Sequence, residues 1–355
     1  MIIKPKILTI FLSRRFLSGL SLVLLIISGI IFAITFIEKL PRTDGILSAA
    51  NISFVSLMEY IPLFLPLAVF MGTLLTCYKL TRSSESVILS GAGMSPWQKI
   101  RPFLITAFII GVFTTTIVNP YAISRSARAI DIEKMNTSEN SIWIRESGDT
   151  GTIIIRANGV EQNKRGDMFF SDASVILLGA DTNIEQRIET DKITLDNGGF
   201  FIKHGRGFDE YGVPGTIKNW SYVAQTTPNT FLERHLKPDQ ISFWKLPRTI
   251  KNMQKIGLYA RGHWSQFWTL LFLPLTLIAM TTLGFAFSQT RERRNFSFGI
   301  KFGGGILISF GLYFLTNVFS ALGTSGALPT ILAAALPPLL ITTFAAMWIV
   351  SFEAI

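Results

Sequence analysis

The chain has 355 residues, of which 49% are hydrophobic and only 16% are charged, well below the roughly 25% of charged residues in soluble proteins. Its mean hydropathy is +0.41, and its formal net charge at pH 7 is +10. Because Cys77 is the single cysteine, an intrachain disulfide framework is excluded. The composition excludes an ordinary soluble protein and indicates a membrane protein.

Long uncharged apolar runs occur in two groups of three, one on each side of a polar insert. A bilayer core about 30 Å thick needs about 20 apolar residues in a helix that rises 1.5 Å per residue. The runs are Phe16–Ile37, Tyr60–Tyr78, Pro102–Ser124, Ser265–Thr290 and the two halves of Phe302–Phe352, which Gly323–Pro329 divides. The sequence therefore predicts three transmembrane helices in residues 1–124 and three more in residues 265–355.

The positive charge is concentrated in three short segments, which precede span one, join spans two and three, and join spans four and five. These basic residues are Lys4, Lys6, Arg14 and Arg15; Lys79, Arg82, Lys99 and Arg101; and Arg291, Arg293, Arg294 and Lys301. Since short loops rich in Lys and Arg stay in the cytoplasm, both termini are predicted to be cytoplasmic and the insert to lie on the other side. The net charge then reflects topology, and no basic face with aromatic residues indicates nucleic-acid binding.

The insert, residues 125–264, reads as a folded β domain with helical flanks. Short strand-like runs cover Thr152–Ala157, Asp172–Leu178, Asp191–Asp196, Gly199–Lys203 and Thr216–Ala224. Turn signals at Asn158-Gly159, Asp196–Gly199 and Tyr211–Gly215 separate them. Many short strands at close spacing predict an antiparallel sandwich or jelly roll. Helical patterns run from Asn119 to about Glu139 and from Ser242 towards Gly257.

The sequence carries no recognisable catalytic or metal-binding motif. His204, His235 and His263 lie far apart, without a second ligand at helical spacing. The glycines of Gly303–Gly305 lack the Lys-Ser/Thr of a nucleotide-binding loop. The predicted spans contain no acidic residue that could form an ion relay. We therefore predict no catalytic residue, no metal site and no cofactor bound by this chain, and expect a partner to supply the energy.

The loop between spans two and three predicts a short helix near residues 83–93. Ser83 or Ser84 is expected to cap it, with Glu85 at its positive N-terminus. An aliphatic face follows, and the helix should end at the glycines. This loop is either a solvated connector or a coupling helix that docks into a motor subunit, and its aliphatic ridge favours the second interpretation. The candidate coupling residues are Arg82, Ser83, Glu85, Val87, Ile88, Gly91 and Gly93.

At this loop the chain resembles the LptF/LptG permease family of the lipopolysaccharide-export ABC transporter. The shared pattern is Arg-Ser-x-Glu, then aliphatic residues, then a glycine pair, and the likeness extends over essentially the whole chain. Within the family the chain is closest to LptG, on the stretches Ser141–Arg145, Ile241–Pro247, Gly311–Leu315, Ala321–Gly323 and Gly326–Ala334. The resemblance implies a polytopic α-helical membrane protein with six transmembrane helices, three plus three, and an inserted periplasmic jelly-roll-like domain.

The resemblance also implies partners and a place in the cell. The chain would pair with an LptF-like permease in the bacterial inner membrane, above a dimeric LptB-like cytoplasmic ATPase that uses ATP. Lipopolysaccharide would pass from the outer leaflet to periplasmic bridge proteins like LptC and LptA. Glu85 would face a basic residue of the ATPase. Lys39 and Arg42 would either bind the anionic head group or lie at the membrane interface as snorkelling side chains.

A membrane-anchored sensor or scaffold is the alternative. Such a protein would have a β domain that binds a periplasmic ligand, and it would purify without a nucleotide-binding subunit.

Overall fold

The apolar runs of the sequence form long helices in the computed structural model, which describes residues 5–42, 45–125, 142–148, 151–162, 167–179, 183–196, 198–223, 228, 231, 238–255, 259–289 and 298–353. The chain divides into a helical unit, made of Met1–Ser126 with Pro238–Ile355, and a β unit, Ala127–Lys237. The helices are α1 Pro5–Lys39, α2 Ile46–Arg82, α3 Glu85–Gly91, α4 Pro96–Phe113, α5 Leu246–Lys255, α6 Arg261–Leu271, α7 Leu273–Ser288, α8 Phe298–Ser325 and α9 Thr330–Glu353.

Five stretches among the described residues are long and apolar enough to cross a membrane as single helices. They are α1, α2, α8, α9 and the helix that runs from Pro96 to Arg125. The predicted fourth span is instead the pair α6 and α7, which meet at a bend of 52°. The membrane-protein prediction is thus confirmed, and a total of six crossings stays a prediction, because it depends on counting the bent pair as one span.

The core of the helical unit is formed by buried residues of α1, α2 and α4, together with α3, α7 and α9. Leu12, Phe16 and Leu20 of α1 are buried, and the Phe16 ring stacks on Phe103 of α4 with 5.1 Å between centroids. Glycine permits the close approach of α1 and α2, since a Cβ at Gly72 would lie 2.8 Å from Leu20 Cα. The opposite faces of α1, α8 and α9 expose many large aliphatic and aromatic side chains, as expected for surfaces that lipid or another membrane helix covers.

The bend between α6 and α7 has a local cause in the backbone. Pro274 has no N–H, so the Leu270 carbonyl oxygen four residues earlier loses its regular helical donor. Thr115 of the neighbouring helix donates its hydroxyl to this oxygen over 2.9 Å. Thr115 lies in a π-helical turn, Thr114–Val118, that follows α4. The Leu270 oxygen also accepts a backbone N–H bond in the cap turn at Phe272, so the threonine of the widened turn adds a side-chain donor where the regular helical donor is missing.

The predicted break between the last two spans is observed. α8 ends at Ser325, Gly326 has a φ of +88°, and α9 begins at Thr330. Arg261, the first residue of α6, donates a hydrogen bond from Nη1 to the Ser325 carbonyl oxygen at 3.1 Å. This contact satisfies a carbonyl at the end of α8 and ties the α8–α9 loop to the start of α6.

The β unit contains one antiparallel sheet. Its strands are β1 Ile142–Gly148, β2 Gly151–Ala157, β3 Gly159–Gln162, β4 Met168–Leu178, β5 Ile184–Asp196, β6 Gly199–Asp209 and β7 Pro214–Tyr222. The order across the sheet is β1-β2-β4-β5-β6-β7, and β3 also pairs with β4. Four of the five predicted strand-like runs fall within strands, and the fifth, Thr216–Ala224, matches β7 as far as Tyr222, while Ala224 lies outside the described residues, so the antiparallel β domain is confirmed. The jelly-roll arrangement stays a prediction.

A bend crosses the middle strands of this sheet. β5 exposes Asp191 and Lys192 in succession, and β6 exposes Lys203 and His204, where simple alternation would bury one of each pair. β4 has Asp172 at the same level, with a φ of 48°. An extra outward residue in each strand turns the sheet while the pairing register is kept. Both arms of the bent sheet therefore bury their side chains in one core, which includes Phe170, Val175, Ile188, Ile193 and Phe200.

The predicted helical flanks agree with the structure only in part. The helix from span three is described as far as Arg125, and residues 126–141 lie outside the described part. The helix expected to open at Ser242 begins at Leu246, because residues 242–245 form a turn with Leu246 N–H donating to the Ser242 carbonyl oxygen. Asn197, the first residue of the predicted Asn-Gly turn, is also outside the described part, but Asp196 and Gly199 pair as the hairpin requires.

Candidate functional site

The predicted short helix exists as α3, and it begins directly after a sharp turn at the end of α2. Ser84, with a φ of 59°, is left-handed and separates the two helices. Ser84 occupies the N-cap position of α3, as one of the two predicted serines, but the side-chain cap bond expected there is absent. Ser84 makes no side-chain cap bond because its left-handed backbone directs the hydroxyl elsewhere. The Ser83 hydroxyl instead donates to the Lys79 carbonyl oxygen at 3.0 Å in the last turn of α2. Arg82, the last residue of α2, is exposed.

The predicted glycine stop is confirmed, and its geometry shows which glycine is required. Gly93 N–H donates to the Ser90 carbonyl oxygen at 2.9 Å, and Met94 N–H donates to the Leu89 carbonyl oxygen at 3.2 Å. This pair of bonds is a Schellman motif, and the φ of +82° at Gly93 is the left-handed conformation that the motif needs. Gly91 is the last helical residue and has open space around it.

One face of α3 is buried and the other is an exposed aliphatic ridge. Leu89 is only 8% exposed, and it borders a small cavity with Leu12, Leu80 and Phe103. In contrast, Val87 is 66% exposed and Ile88 is 68% exposed. A seven-residue helix cannot be stable in isolation, so the spans beneath it hold it in place and present this ridge outward.

Two side-chain bonds also tie α3 to neighbouring helices. Glu85 Oε1 accepts a hydrogen bond from Arg15 Nη2 of α1 at 2.7 Å. Near the other end, Lys99 of α4 donates to the Ser90 hydroxyl. The second carboxylate oxygen of Glu85 is buried and has no hydrogen-bond partner among the described residues. The sequence pattern identified Glu85 but not Arg15, which lies 70 positions away.

The candidate head-group residues lie at the far end of α1. Lys39 is its last residue, and its Nζ contacts Glu38 Oε1 at 3.2 Å. Arg42 belongs to the 3-10 turn Leu40–Arg42, and its side chain is outside the described part. The carboxylates of Glu38, Glu59 and Asp239 all act electrostatically on the Tyr60 hydroxyl. This end of the helical unit therefore has mixed charge, which the sequence reading missed because Glu59 and Asp239 are distant along the chain.

The described part of the chain contains no candidate metal centre. Among the residues that the structure describes, no three His, Cys, Asp or Glu side chains come together. His204 is exposed on β6 and His263 is buried in α6, whereas His235 lies outside the described residues.

Comparisons with known proteins match the chain to one family of permeases. The family model described as "Lipopolysaccharide export system permease LptF/LptG" matches residues 11–351. The lipopolysaccharide export system permease protein LptG of Escherichia coli is 22% identical over 332 residues, which cover 88% of each chain. LptG of Haemophilus influenzae is 20% identical over 345 residues, 93% of this chain and 94% of that one. The chain belongs to the LptF/LptG family of lipopolysaccharide export system permeases.

Proposed function

We propose that this chain is an LptG-like permease subunit that extracts lipopolysaccharide from the outer leaflet of the bacterial inner membrane. It passes the lipid to LptC- and LptA-like bridge proteins in the periplasm. An LptF-like permease is its companion, and a dimeric LptB-like ATPase hydrolyses the ATP. The chain crosses the membrane six times, with α6 and α7 as one bent span, both termini in the cytoplasm and a jelly-roll β unit in the periplasm. The family membership supports the permease role.

The observation that carries the coupling role is the exposed aliphatic ridge of α3. When a partner covers exposed aliphatic side chains, their apolar surface is removed from water, and this favours binding. If a groove in the ATPase receives Val87 and Ile88, a movement of the ATPase would move α3 together with the spans. Leu89, Glu85 and Ser90 attach the opposite face of α3 to those spans. We also propose that Glu85 accepts a contact from a basic residue of the ATPase. Arg82, Ser83, Gly91 and Gly93 shape the ends of the docking helix.

The lipid path is proposed on the exposed apolar faces of the spans. Leu25, Ile30 and Ile34 of α1 are exposed, as are Leu307 and Phe310 of α8. Acyl chains and aliphatic side chains are equally apolar, so such faces can line a cavity shared with the companion permease. We propose that Lys39 and Arg42 meet the phosphorylated head group at the outer boundary. The acidic neighbours of Lys39 would limit how strongly this site attracts an anion.

The ridge is tested by the double substitution Val87→Ser with Ile88→Ser. We expect the ATPase to bind at least 10-fold more weakly. Removing two aliphatic side chains that the ATPase would bury costs more than the roughly 1.4 kcal/mol that corresponds to a 10-fold change in affinity. Binding is measured by titrating the ATPase onto the reconstituted permease pair. Val223→Ser is the matched control, because Val223 is also exposed and belongs to the β unit.

Unchanged ATPase affinity in the ridge variant would contradict the coupling role of α3. If the wild-type chain purified with no ATPase and bound none, the sensor or scaffold alternative would be favoured instead.

A further inference from the structure

The ion pair between Arg15 and Glu85 connects the short helix α3 to the first span. Arg15 Nη2 and Glu85 Oε1 are 2.7 Å apart, although the residues are separated by 70 positions. The Arg15 guanidinium also lies over the Phe11 ring, 5.3 Å from its centroid. The guanidinium is therefore held by a carboxylate on one helix and an aromatic ring on its own helix.

The segment of α1 that carries Arg15 is firmly packed. Leu12, Phe16 and Leu20 on either side of it are buried, and Thr106 of α4 donates a hydrogen bond to the Ser13 hydroxyl at 3.2 Å. The Thr76 side chain occupies the place that a Cβ at Gly19 would need. A force applied at Arg15 therefore acts on a segment of α1 whose packing resists local bending.

The remainder of α1 is much more exposed. Leu25, Ile26, Ile30, Ile34 and Ile37 all lie more than half exposed in the helical unit. A helix of 35 residues is about 50 Å long at 1.5 Å per residue, so a small rotation at its packed end moves the exposed end by several ångströms. The exposed part of α1 belongs to the apolar face assigned above to the lipid path.

We propose that Arg15 is a positioning residue that links α3 to α1 through Glu85, so that displacement of α3 by the ATPase rotates the first span. This inference rests on the proposed function and adds a residue to it that lies outside the coupling loop. Glu85 then has two roles, because one oxygen holds Arg15 while the other has no partner among the described residues. Arg15 makes the connection within the chain, and ATPase binding does not require it.

The test measures how much lipid is released for each ATP hydrolysed by the complete complex in proteoliposomes. Arg15→Gln keeps the polar side chain and removes the charge. We expect it to bind the ATPase like the wild type and to release at least 5-fold less lipid per ATP. Arg15→Lys retains a cation and should recover at least half of the wild-type ratio. Arg14→Gln is the matched control, since Arg14 is the exposed neighbour and forms no ion pair within the described residues.

A second measurement places Arg15→Gln in a Glu85→Gln background at saturating ATPase. If the two residues act as a pair, the second substitution should change the lipid-to-ATP ratio less than 2-fold further. Because the ratio is measured per ATP hydrolysed by assembled complex, a lower yield of the variant does not affect it.

The inference is overturned if Arg15→Gln behaves like Arg14→Gln, or if its effect is equally large with and without Glu85. A wild-type complex that hydrolyses ATP and releases no lipopolysaccharide would instead contradict the proposed function.

Discussion

At the scale of single residues, two glycines in the first spans have opposite surroundings. A Cβ at Gly72 of α2 would lie 2.8 Å from Leu20 Cα and 3.2 Å from Leu20 N, so the obstacle is backbone that cannot rotate away. A Cβ at Gly29 of α1 would meet nothing within 4 Å. The first glycine therefore permits helix contact, and the second has no packing reason to be glycine in the helical unit.

The pair makes a stability prediction. Gly72→Ala should destabilise the helical unit by about 1–3 kcal/mol, because α1 and α2 must separate to admit the methyl group. Gly29→Ala should be neutral or stabilising by up to about 1 kcal/mol, because alanine favours the helix. Tryptophan-fluorescence melting of the purified protein in detergent compares both variants with the wild type. Equal melting temperatures for the two variants would show that the close approach of α1 and α2 does not limit stability.

These residues also show what the sequence can predict at this scale. The coupling-loop motif identifies Glu85, because the charged residues, the aliphatic residues and the glycines follow each other within the short segment from Arg82 to Gly93. It cannot identify Arg15, because a contact across 70 positions depends on how α1 packs beside the loop. Small residues in a span are easily recognised in the sequence. Which of them permits a close helix contact, Gly72 or Gly29, depends on which face of the helix meets a neighbour.

At the scale of elements, the bend between α6 and α7 is the clearest departure from the sequence prediction of one continuous fourth span. Proline alone does not predict it, because Pro62 and Pro66 lie inside the unbroken α2 and Pro102 lies inside α4. At Pro274 the backbone of α4 also comes close, since a Cβ at Gly111 would be 2.5 Å from Pro274 Cα. The bend thus depends on two features together. One is the proline, and the other is a neighbouring helix that supplies a hydrogen bond and has a glycine, Gly111, where it comes close to Pro274.

Thr115 supplies that bond, and its loss can be measured. Thr115→Val should cost about 1 kcal/mol of stability, because the Leu270 carbonyl oxygen then loses the hydroxyl donor at 2.9 Å. Thr116→Val is the control: its hydroxyl donates only to the Val112 carbonyl oxygen of its own helix, and a change within about 0.5 kcal/mol is expected. In a Pro274→Ala background the cost of Thr115→Val should fall, because alanine there supplies an N–H to Leu270.

Reversible unfolding in a mixed-detergent titration provides these free energies. The same cost for Thr115→Val with and without Pro274 would contradict the idea that the threonine compensates for the missing proline donor.

The β unit shows why strands are easier to predict than the shape of a sheet. Alternation and turn residues predicted five strand-like runs, since each depends on neighbours along the chain. The bend at Asp172 and Asp191 interrupts that alternation, and the predicted runs begin at these two residues, whereas the strands begin earlier, at Met168 and Ile184. As a result β4 and β5 are longer than predicted. β1 and β3 are not among the predicted runs, and β3 has only four residues, which carry too little periodicity.

At the scale of the whole molecule, the distribution of charge along the chain supports the orientation proposed for it. The basic residues of the loops are concentrated in three segments of the chain, before span one, between spans two and three, and between spans four and five, whereas the β unit has nearly balanced charge. The cost of moving lysine and arginine across a bilayer keeps such loops in the cytoplasm. The β unit is one span away from those loops along the chain, which is why we propose that it lies on the periplasmic side.

The single native cysteine makes this orientation measurable. Cys77 is buried in α2, so Cys77→Ser gives a cysteine-free background in which two exposed reporters can be introduced. Tyr211→Cys lies in the β unit, where Tyr211 is 83% exposed, and Val87→Cys lies on α3. A membrane-impermeant maleimide added to spheroplasts should label only the Tyr211→Cys chain, and added to inverted vesicles it should label only the Val87→Cys chain. The chain is expressed without its ATPase so that α3 is uncovered. If both reporters react from the same side, the basic loops do not determine the topology, and the coupling role of α3 and the periplasmic role of the β unit cannot both hold.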